Sequence, residues 1–133
     1  MERGKGEKAG EPLGEVRGFE SLLVWQKSMD MVCKVYQICN HGSLAKDWGL
    51  RDQLQRAAVS IPANIAEGYE RRSRKEYQQF LGIAKGSAGE LRCLVQIAKR
   101  LEFIDEKTAE NVIGEIVEIT KMLQGLMNFI NKG

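Results

Sequence analysis

Apolar residues recur along the chain at alternating steps of three and four positions, and this spacing predicts α-helices. No stretch shows the alternation of every second residue that is typical of a half-buried strand. The first repeat predicts a helix from Glu20 to about Asn40, and Gly42 is suited to the left-handed position after its end. Its apolar positions are Leu22, Trp25, Met29, Val32, Tyr36 and Cys39.

A second repeat predicts a helix over Asp47 to Tyr69. Pro62 lies inside this segment and removes one backbone hydrogen bond, so we expect one helix that bends near Ala58. The part that follows the proline would be too short to be stable as a separate helix. The apolar positions of this helix are Leu50, Leu54, Ala58, Ile61 and Ile65.

The third and fourth helices each begin at a capping residue. Ser73 and Glu76 have the spacing of a capping box, and Asp105 is suited to cap a helix from Glu106 to about Asn131. Four long helices with short turns predict an all-α fold, an antiparallel up-down four-helix bundle. The predicted seams are Tyr77, Phe80, Ala84, Ser87, Leu91, Leu94, Ala98 and Leu101 in helix three, and Ile113, Ile116, Thr120, Leu123, Met127 and Ile130 in helix four.

The beginning of the chain differs from the rest in composition. Glycines at positions 4, 6, 10, 14 and 18 alternate there with charged residues, which leaves too little apolar surface to offset the entropy of ordering. We therefore expect a flexible tail over residues 1–18. The remaining residues 19–133 are enough for a single core and form the bundle domain.

Three glycines, Gly82, Gly86 and Gly89, lie inside helix three. Each weakens a helix by up to about 1 kcal/mol relative to alanine. They neither follow a strand nor open a helix, which excludes a phosphate-binding glycine loop. We expect them to mark a place where a neighbouring backbone approaches closely.

The composition limits the chemistry that is available. The chain has 20 Lys and Arg against 18 Asp and Glu, a net charge of +2, which is unlike the strongly basic surface of a dedicated nucleic-acid binder. His41 is the single histidine, so histidine zinc sites and Ser-His or Cys-His nucleophile pairs have one candidate at most. We therefore expect no enzyme, no metal and no cofactor.

The cysteines and the hydropathy indicate where the protein works. Cys33, Cys39 and Cys93 form no CxxC pair, and an odd number of cysteines suits a reducing cytoplasm. We expect all three to be buried as small apolar residues. No apolar stretch approaches the ~18 residues of a membrane span, and no apolar segment near residue 1 resembles a signal peptide. The sequence predicts a cytoplasmic protein that does not cross a membrane.

A polar stripe lies on one face of helix two, beside its apolar face. Its members are three or four residues apart: Gln53, Arg56, Ser60, Asn64 and Glu67. One interpretation is a solvated face, although such a face more often mixes Lys and Glu. The other is a buried polar seam between helices or subunits, in which Arg56 pairs with Glu67 or with Glu90 of helix three. A catalytic interpretation has little support, because no nucleophile and base are assembled there.

A basic run occupies the turn between helices two and three. It contains Arg71, Arg72, Arg74 and Lys75, with Tyr69 and Tyr77 beside them. Charges at the end of a bundle are commonly solvated and have no partner. The alternative is a phosphate-contact patch, in which arginine supplies bidentate hydrogen bonds and tyrosine a stacking surface. In an oligomer, such a patch would be repeated around a ring.

Three stretches resemble a known family. They are FESLLVWQK from residue 19, LQRAAVSIPANIAEG from residue 54 and FLGIAKGSAGEL from residue 80. They resemble the four-helix-bundle proteins encoded within intervening sequences of bacterial 23S ribosomal RNA genes, and the resemblance covers about Phe19 to Ile130. The string R-A-A-x-S-I-x-x-N-I-A-E-G is its most specific part.

The resemblance implies an assembly and a set of partners. Family members look like antiparallel bundles that form homopentameric rings, and they are similar to the accessory proteins of diversity-generating retroelements, which bind a reverse transcriptase and nucleic acid. It therefore implies a pentamer with RNA, DNA or a protein such as a reverse transcriptase as partner. The polar positions of the family motif fall on Arg56, Ser60, Asn64, Glu67, Gly68, Ser87 and Glu90, which adds Ser87 and Glu90 to the predicted seam.

Two functions remain open at this point. The first is a non-enzymatic, ring-forming bundle that binds nucleic acid, RNA above all, through Arg71, Arg72, Arg74 and Lys75. The second is a protein-interaction or scaffold module, such as a reverse-transcriptase accessory protein, without direct nucleic-acid contact. An affinity for RNA that falls steeply with salt belongs to the first function alone.

Overall fold

The computed structural model describes residues 18–132, and within them the chain forms α-helices and short 3₁₀ turns but no strand. Residues 1–17 and Gly133 lie outside the described residues, so the flexible tail stays a prediction. The four helices are α1 (Leu23–Cys39), α2 (Trp48–Tyr69), α3 (Arg74–Arg100) and α4 (Glu106–Lys132). The all-α prediction is confirmed.

Helix α1 begins three residues later than predicted. Phe19–Ser21 form a separate 3₁₀ turn, because Leu22 has an extended backbone with φ −77° and ψ 125°. After the helix, Gly42 has φ +60°, the left-handed conformation that the sequence predicts. A second 3₁₀ turn, Gly42–Lys46, then leads to α2.

The core register of α1 is one residue away from the predicted one. The buried positions are Val24, Ser28, Met31, Val35 and Cys39, whereas Met29 and Tyr36, both predicted to be in the seam, are exposed. Ser28 is fully buried because its hydroxyl donates to the Val24 carbonyl at 2.7 Å. A polar residue that bonds within its own helix therefore occupies a core position, and the hydrophobic pattern does not show it.

Helix α2 agrees closely with its prediction. The Asp47 carboxylate accepts from the Leu50 amide at 3.0 Å and caps the helix. The helix is continuous through Pro62, as predicted. Its five predicted core positions, Leu50, Leu54, Ala58, Ile61 and Ile65, are all buried.

Helix α3 has the first of the two hydrogen bonds of the predicted capping box, since the Ser73 hydroxyl accepts from the Glu76 amide at 3.1 Å. It ends in a Schellman arrangement, in which the Phe103 amide donates to the Ala98 carbonyl and the Glu102 amide to the Lys99 carbonyl, both at 2.9 Å. Glu102 has φ +63°, a conformation that glycine adopts more easily. The buried positions are Leu81, Ala84, Ala88, Leu91, Leu94, Val95 and Ala98. The predicted seam member Leu101 is exposed, because it lies beyond the last helical turn.

Helix α4 is capped by Asp105, whose carboxylate accepts from the Thr108 amide at 2.7 Å. This backbone hydrogen bond lowers the pKa of Asp105 below its ordinary value of 3.8. The buried residues are Ala109, Val112, Ile116, Ile119 and Leu123. The other predicted seam members, Ile113, Thr120, Met127 and Ile130, are only partly buried, because the core contact is centred on the neighbouring stripe.

Contacts between helices show an antiparallel arrangement of neighbours. Gln78 and Lys85 of α3 bond to Met127 and Gln124 of α4, so the residue numbers rise along one helix as they fall along the other. The same holds for α1 and α4, where Lys27 pairs with Glu118 at 3.6 Å and Lys34 with Glu115 at 2.6 Å. The chain therefore runs up and down through the bundle, and the α2–α3 turn lies at one of its ends.

Two of the three cysteines are exposed, although all three are predicted to be buried. Cys39 is buried, whereas Cys33 and Cys93 are exposed, and all three are free thiols. The prediction that all three are buried is wrong because Cys33 and Cys93 lie on the outward faces of α1 and α3. None of the helices in residues 18–132 is both long and apolar enough to span a membrane.

Candidate functional site

The centre of the polar stripe lies against α3 and forms a small hydrogen-bonded network. The Ser60 and Ser87 hydroxyl oxygens are 2.7 Å apart. The Asn64 amide nitrogen donates to the Ser60 carbonyl at 2.8 Å and to the Ser60 hydroxyl at 2.9 Å. All three side chains are half-buried. This part of the stripe is a polar contact between two helices of one chain.

The outer members of the stripe are exposed in the single chain. Arg56 forms an ion pair with Asp52, one turn away on the same helix, at 3.5 Å, and 79% of its side chain is exposed. The predicted pairing of Arg56 with Glu67 or Glu90 is therefore wrong within the chain, because Asp52 is the nearer carboxylate. Gln53 and Glu90 are exposed as well.

The three glycines of α3 lie on the outward face of the helix and not at a contact with another helix of the chain. Gly82, Gly86 and Gly89 are not packed against a neighbour, and a methyl group added at any of them would meet no atom within 4 Å. The expectation that they mark a close backbone contact is wrong within the chain. Two apolar side chains, Ile83 and Ile97, lie exposed on the same helix, with 51% and 41% of their surface accessible.

The close contact between α2 and α3 is made by a different glycine. Gly68 is buried, and a Cβ there would lie 2.9 Å from the Phe80 Cβ and 3.3 Å from the Tyr77 carbonyl oxygen. It therefore lets the last turn of α2 approach the first turns of α3. The sequence marks Gly68 as a motif position but does not distinguish its role from that of the α3 glycines.

Arg71 is exposed, with 41% of its side chain accessible, but it contacts two other side chains of the bundle. Its guanidinium lies 2.6 Å from the Glu67 carboxylate, four residues earlier, and 4.7 Å from the centre of the Phe80 ring. Both partners are in the chain itself, so the positive charge of Arg71 is already engaged. Glu67 thus pairs with the basic run and not with Arg56.

The other three members of the basic run are open to solvent. Arg72, Arg74 and Lys75 are exposed, and within residues 18–132 none of them has a carboxylate at ion-pair distance. Arg72 lies in the bend before the α3 cap, and Arg74 and Lys75 are the first two residues of α3. They form a group of three available cations at one end of the bundle.

The tyrosines beside the basic run contact one another. The rings of Tyr69 and Tyr77 have their centres 6.1 Å apart and meet edge to face. Burial, with a smaller contribution from Tyr69, raises the pKa of Tyr77 above its ordinary value of 10.0. Both rings are half-buried, so only part of the stacking surface predicted for them is exposed.

The described residues line further cavities away from the basic run. A groove of about 270 Å³ between α1 and α4 is lined by Lys27, Asp30, Lys34, Glu115, Glu118 and Ile119, and most of these charges pair with each other. A cavity of about 280 Å³ at the other end of the bundle contains His41 and Asp105. Residues 18–132 contain no group of three His, Cys, Asp or Glu side chains arranged to hold a metal ion.

Comparisons with known proteins match most of the chain. A family model described as 23S rRNA-intervening sequence protein matches residues 20–125. The chain is also similar to a protein with unknown function from the S23 ribosomal protein family of Bacteroides thetaiotaomicron VPI-5482, with a TM-score of 0.73 and 26% sequence identity. That match covers 79% of this chain and 98% of the solved one. No curated protein matches the sequence.

Proposed function

The chain belongs to the 23S rRNA-intervening sequence protein family, and from this membership and its surface we propose a non-enzymatic, ring-forming bundle that binds nucleic acid, RNA above all. The observation that carries the proposal is the group of three cations at the α2–α3 turn, Arg72, Arg74 and Lys75, which have no ion-pair partner within residues 18–132. We call these three residues the basic turn. Exposed cations that neutralise phosphates release counterions condensed on the nucleic acid, and this release favours binding.

The neighbouring acidic residues limit the strength of this interaction. Glu70 and Glu76 lie in the same segment and are exposed, so the net positive charge at the turn is small. A single copy of the turn would bind weakly, because each phosphate contact contributes only a modest electrostatic gain in salt. Tight binding therefore needs several copies that act together.

Assembly of the chain into a ring would supply those copies. We propose the homopentamer that the family resemblance implies, with the outward face of α3 at the subunit contact. Its glycines leave room for a neighbouring backbone, and exposed Ile83 and Ile97 would be buried by that neighbour. A closed ring would present the basic turn once in every subunit.

The test is RNA binding measured by fluorescence anisotropy at several salt concentrations. The triple variant Arg72→Gln/Arg74→Gln/Lys75→Gln should lose binding. The matched control, Lys46→Gln/Arg100→Gln/Lys107→Gln, removes the same charge from the opposite end of the bundle and should bind as the parent does. Equal losses in both variants, or no binding of the parent to RNA or DNA at low salt, would exclude this function.

A second function is favoured by a different observation. Met29 and Tyr36 of α1 and Val59 of α2 are exposed apolar side chains, and exposed apolar patches commonly mark protein contacts. Under this function the chain is a scaffold for a protein such as a reverse transcriptase, and its binding depends little on salt. Replacing Met29 and Tyr36 by serine would then weaken the protein complex, whereas the changes in the basic turn would not.

We place either function in the cytoplasm. Cys33 and Cys93 are exposed free thiols, and a reducing compartment keeps such thiols from forming disulfides. Buried Cys39 is protected from oxidation by the core around it.

A further inference from the structure

We propose that the basic turn binds the phosphate backbone of double-helical nucleic acid without reading bases, and that Arg71 positions the turn and does not contact phosphate. This inference rests on the proposed function and defines the substrate class of the same site. It follows from which side chains around the turn are available and which are already engaged.

The aromatic rings at the turn are half-buried and already contact other side chains of the chain. Tyr69 and Tyr77 pack edge to face at 6.1 Å, and the Arg71 guanidinium covers the Phe80 ring at 4.7 Å. Proteins that bind single strands without sequence preference combine a basic groove with open aromatic faces on which bases stack. The turn has the cations, but its rings present only part of their surface to a base.

Two of the polar side chains that flank the cations, Gln78 and Ser73, already form hydrogen bonds within the chain. The Gln78 amide donates to the Met127 carbonyl at 2.6 Å, and the Ser73 hydroxyl accepts from the Glu76 amide to cap α3. Base edges are read by amides, hydroxyls and arginines held in fixed positions. The Gln78 amide joins α3 to α4 and the Ser73 hydroxyl caps α3, while Arg72 and Arg74 are exposed side chains that no ion pair among the described residues holds in place. The turn therefore favours contact with phosphates, which carry no sequence information.

The exposed phenylalanine at the same end points elsewhere. Phe129 of α4 is 75% exposed. Gln124 lies on the side of α4 that meets α3, because it bonds to Lys85. Phe129 follows it by five residues, a rotation of about 140° around the helix. Phe129 is therefore not part of the basic turn.

Duplexes are favoured over single strands by charge density. The slope of log affinity against log salt is about −0.9 for each phosphate neutralised on a duplex and about −0.7 on a single strand. A surface without stacking has only this electrostatic gain. The assembled protein should therefore bind a duplex more tightly than a single strand of equal length.

Arg71 differs from its neighbours because its guanidinium makes two contacts with side chains of the same chain. Its ion pair with Glu67 at 2.6 Å and its contact with Phe80 join the end of α2 to the start of α3. A phosphate that approached Arg71 would compete with the Glu67 carboxylate for the guanidinium. Arg71 thus holds the turn in the conformation that presents Arg72, Arg74 and Lys75.

The experiment compares a 20-base-pair RNA duplex with an oligouridine of the same length, both binding to the full chain in its native assembly. We expect several-fold tighter binding to the duplex. Replacing Arg72, Arg74 or Lys75 singly by Gln should flatten the duplex salt slope, by about 0.9 for each phosphate that the variant no longer neutralises. Phe129→Ala should change neither affinity.

Arg71 is tested in the same assay together with a thermal melt. Arg71→Gln should leave the salt slope unchanged and lower the melting temperature, because the link between α2 and α3 is removed. Arg71→Lys should also lower the melting temperature, because lysine keeps the charge but cannot form the planar contact with Phe80.

Different results overturn different claims. Two results would overturn the duplex assignment while nucleic-acid binding itself stands. The first is equal or tighter binding to oligouridine than to the duplex, and the second is loss of oligouridine binding in Phe129→Ala. A slope that flattens in Arg71→Gln as much as in Arg72→Gln would make Arg71 a phosphate contact. No binding to either RNA at low salt would remove the proposed function and this inference together.

Discussion

Ser60 and Ser87 join α2 to α3 with their hydroxyl oxygens 2.7 Å apart, and Asn64 donates to Ser60 from one turn further along α2. One hydroxyl must donate and the other accept, while the Asn64 amide occupies an acceptor position of Ser60. The three residues therefore form one unit, and the effect of changing one depends on the others.

Removing either hydroxyl should destabilise the bundle modestly. We expect Ser60→Ala and Ser87→Ala each to lower the free energy of unfolding by about 1 kcal/mol, the usual net worth of a neutral hydrogen bond. The double variant should lose about 0.5–1 kcal/mol less stability than the sum of the two single losses, because each single change already removes the same Ser60–Ser87 hydrogen bond. Urea denaturation of the four proteins measures this coupling. Ser43→Ala, at an exposed serine, is the control, and strict additivity would mean that the two hydroxyls do not interact.

Gly68 should tolerate substitution poorly. A Cβ there would lie 2.9 Å from the Phe80 Cβ and 3.3 Å from the Tyr77 carbonyl oxygen, and neither atom can move without shifting α3. We expect Gly68→Ala to destabilise the fold by about 1–3 kcal/mol through overpacking, although alanine is the better helix former. Gly125→Ala in α4 is the matched control, because its Cβ meets open space outside the proposed subunit contact, and it should raise the melting temperature. Two variants that behave alike would argue against a tight α2–α3 contact.

Gly86 should separate folding from assembly. Its Cβ would meet nothing within 4 Å, so Gly86→Leu should preserve the fold and increase helix propensity by almost 1 kcal/mol. If α3 contacts another copy, the same change should dissociate the oligomer. Light scattering at tens of micromolar gives the oligomeric state, and a thermal melt gives the stability.

The control for Gly86 is another glycine with free space beside it. Gly114 of α4 also has open space around it, but its neighbours one turn away include Glu110, Asn111 and Glu118, whereas Gly86 has Ile83 close by. Gly114→Leu should therefore stabilise the chain and leave its mass in solution unchanged. An oligomer that survives Gly86→Leu would place the subunit contact on another face.

Much of the fold could be predicted from local chemistry. The caps Ser73 and Asp105 and the left-handed Gly42 are determined by residues within a few positions of each other, and the structure contains all three. The core of α2 was predictable too, since its apolar residues form one stripe. In α1 two apolar stripes lie side by side, and buried Ser28 belongs to the true core, so the pattern alone selects the wrong one.

The candidate site was less predictable, because its contacts join different parts of the chain. Spacing shows that Arg56 and Arg71 are near carboxylates. It does not show which carboxylate forms an ion pair with each arginine. Arg71 takes Glu67 because Phe80 of α3 supports the guanidinium from below, and Arg56 is left with Asp52. The glycines of α3 and buried Gly68 look alike in the sequence, and only the packing of α2 on α3 distinguishes them.

Cys39 should make the fold sensitive to alkaline pH. Burial raises the pKa of its thiol from 9.0 to about 11, against a smaller opposing effect of Arg51. The unfolded chain then loses this proton at a lower pH than the folded one, so the stabilisation is complete below pH 9 and is lost as the pH rises toward 11. At pH 10 the loss should be about 1 kcal/mol.

The measurement is the free energy of unfolding at pH 8 and pH 10 for the parent and for Cys39→Ala. The alanine variant should be less stable at pH 8, because it leaves a small cavity, and should lose less stability at pH 10. Cys33→Ala removes an exposed thiol and should keep the pH dependence of the parent. Identical pH dependence in the parent and in Cys39→Ala would show that the thiol ionises equally in both states.

Arg56 decides whether the polar stripe is a surface of the chain or a subunit contact. Its side chain is 79% exposed and its ion pair with Asp52 spans 3.5 Å, so Arg56→Ala should cost the monomer less than about 1 kcal/mol. A loss of about 3 kcal/mol under dissociating conditions would instead indicate a buried carboxylate partner.

The assembled protein gives the second half of this test. Arg56 precedes Ser60 by one turn and Glu90 follows Ser87 by about one turn, so in antiparallel helices the two charges lie at a similar level of the α2–α3 face. A neighbouring copy that covers this face would bury both, and Arg56→Ala should then lower the mass measured on dilution while leaving the monomer folded. Arg92→Ala is the control, because Arg92 is an exposed arginine of α3. Unchanged assembly in Arg56→Ala would leave the outer part of the stripe as a solvated face, with Ser60, Asn64 and Ser87 as its structural members.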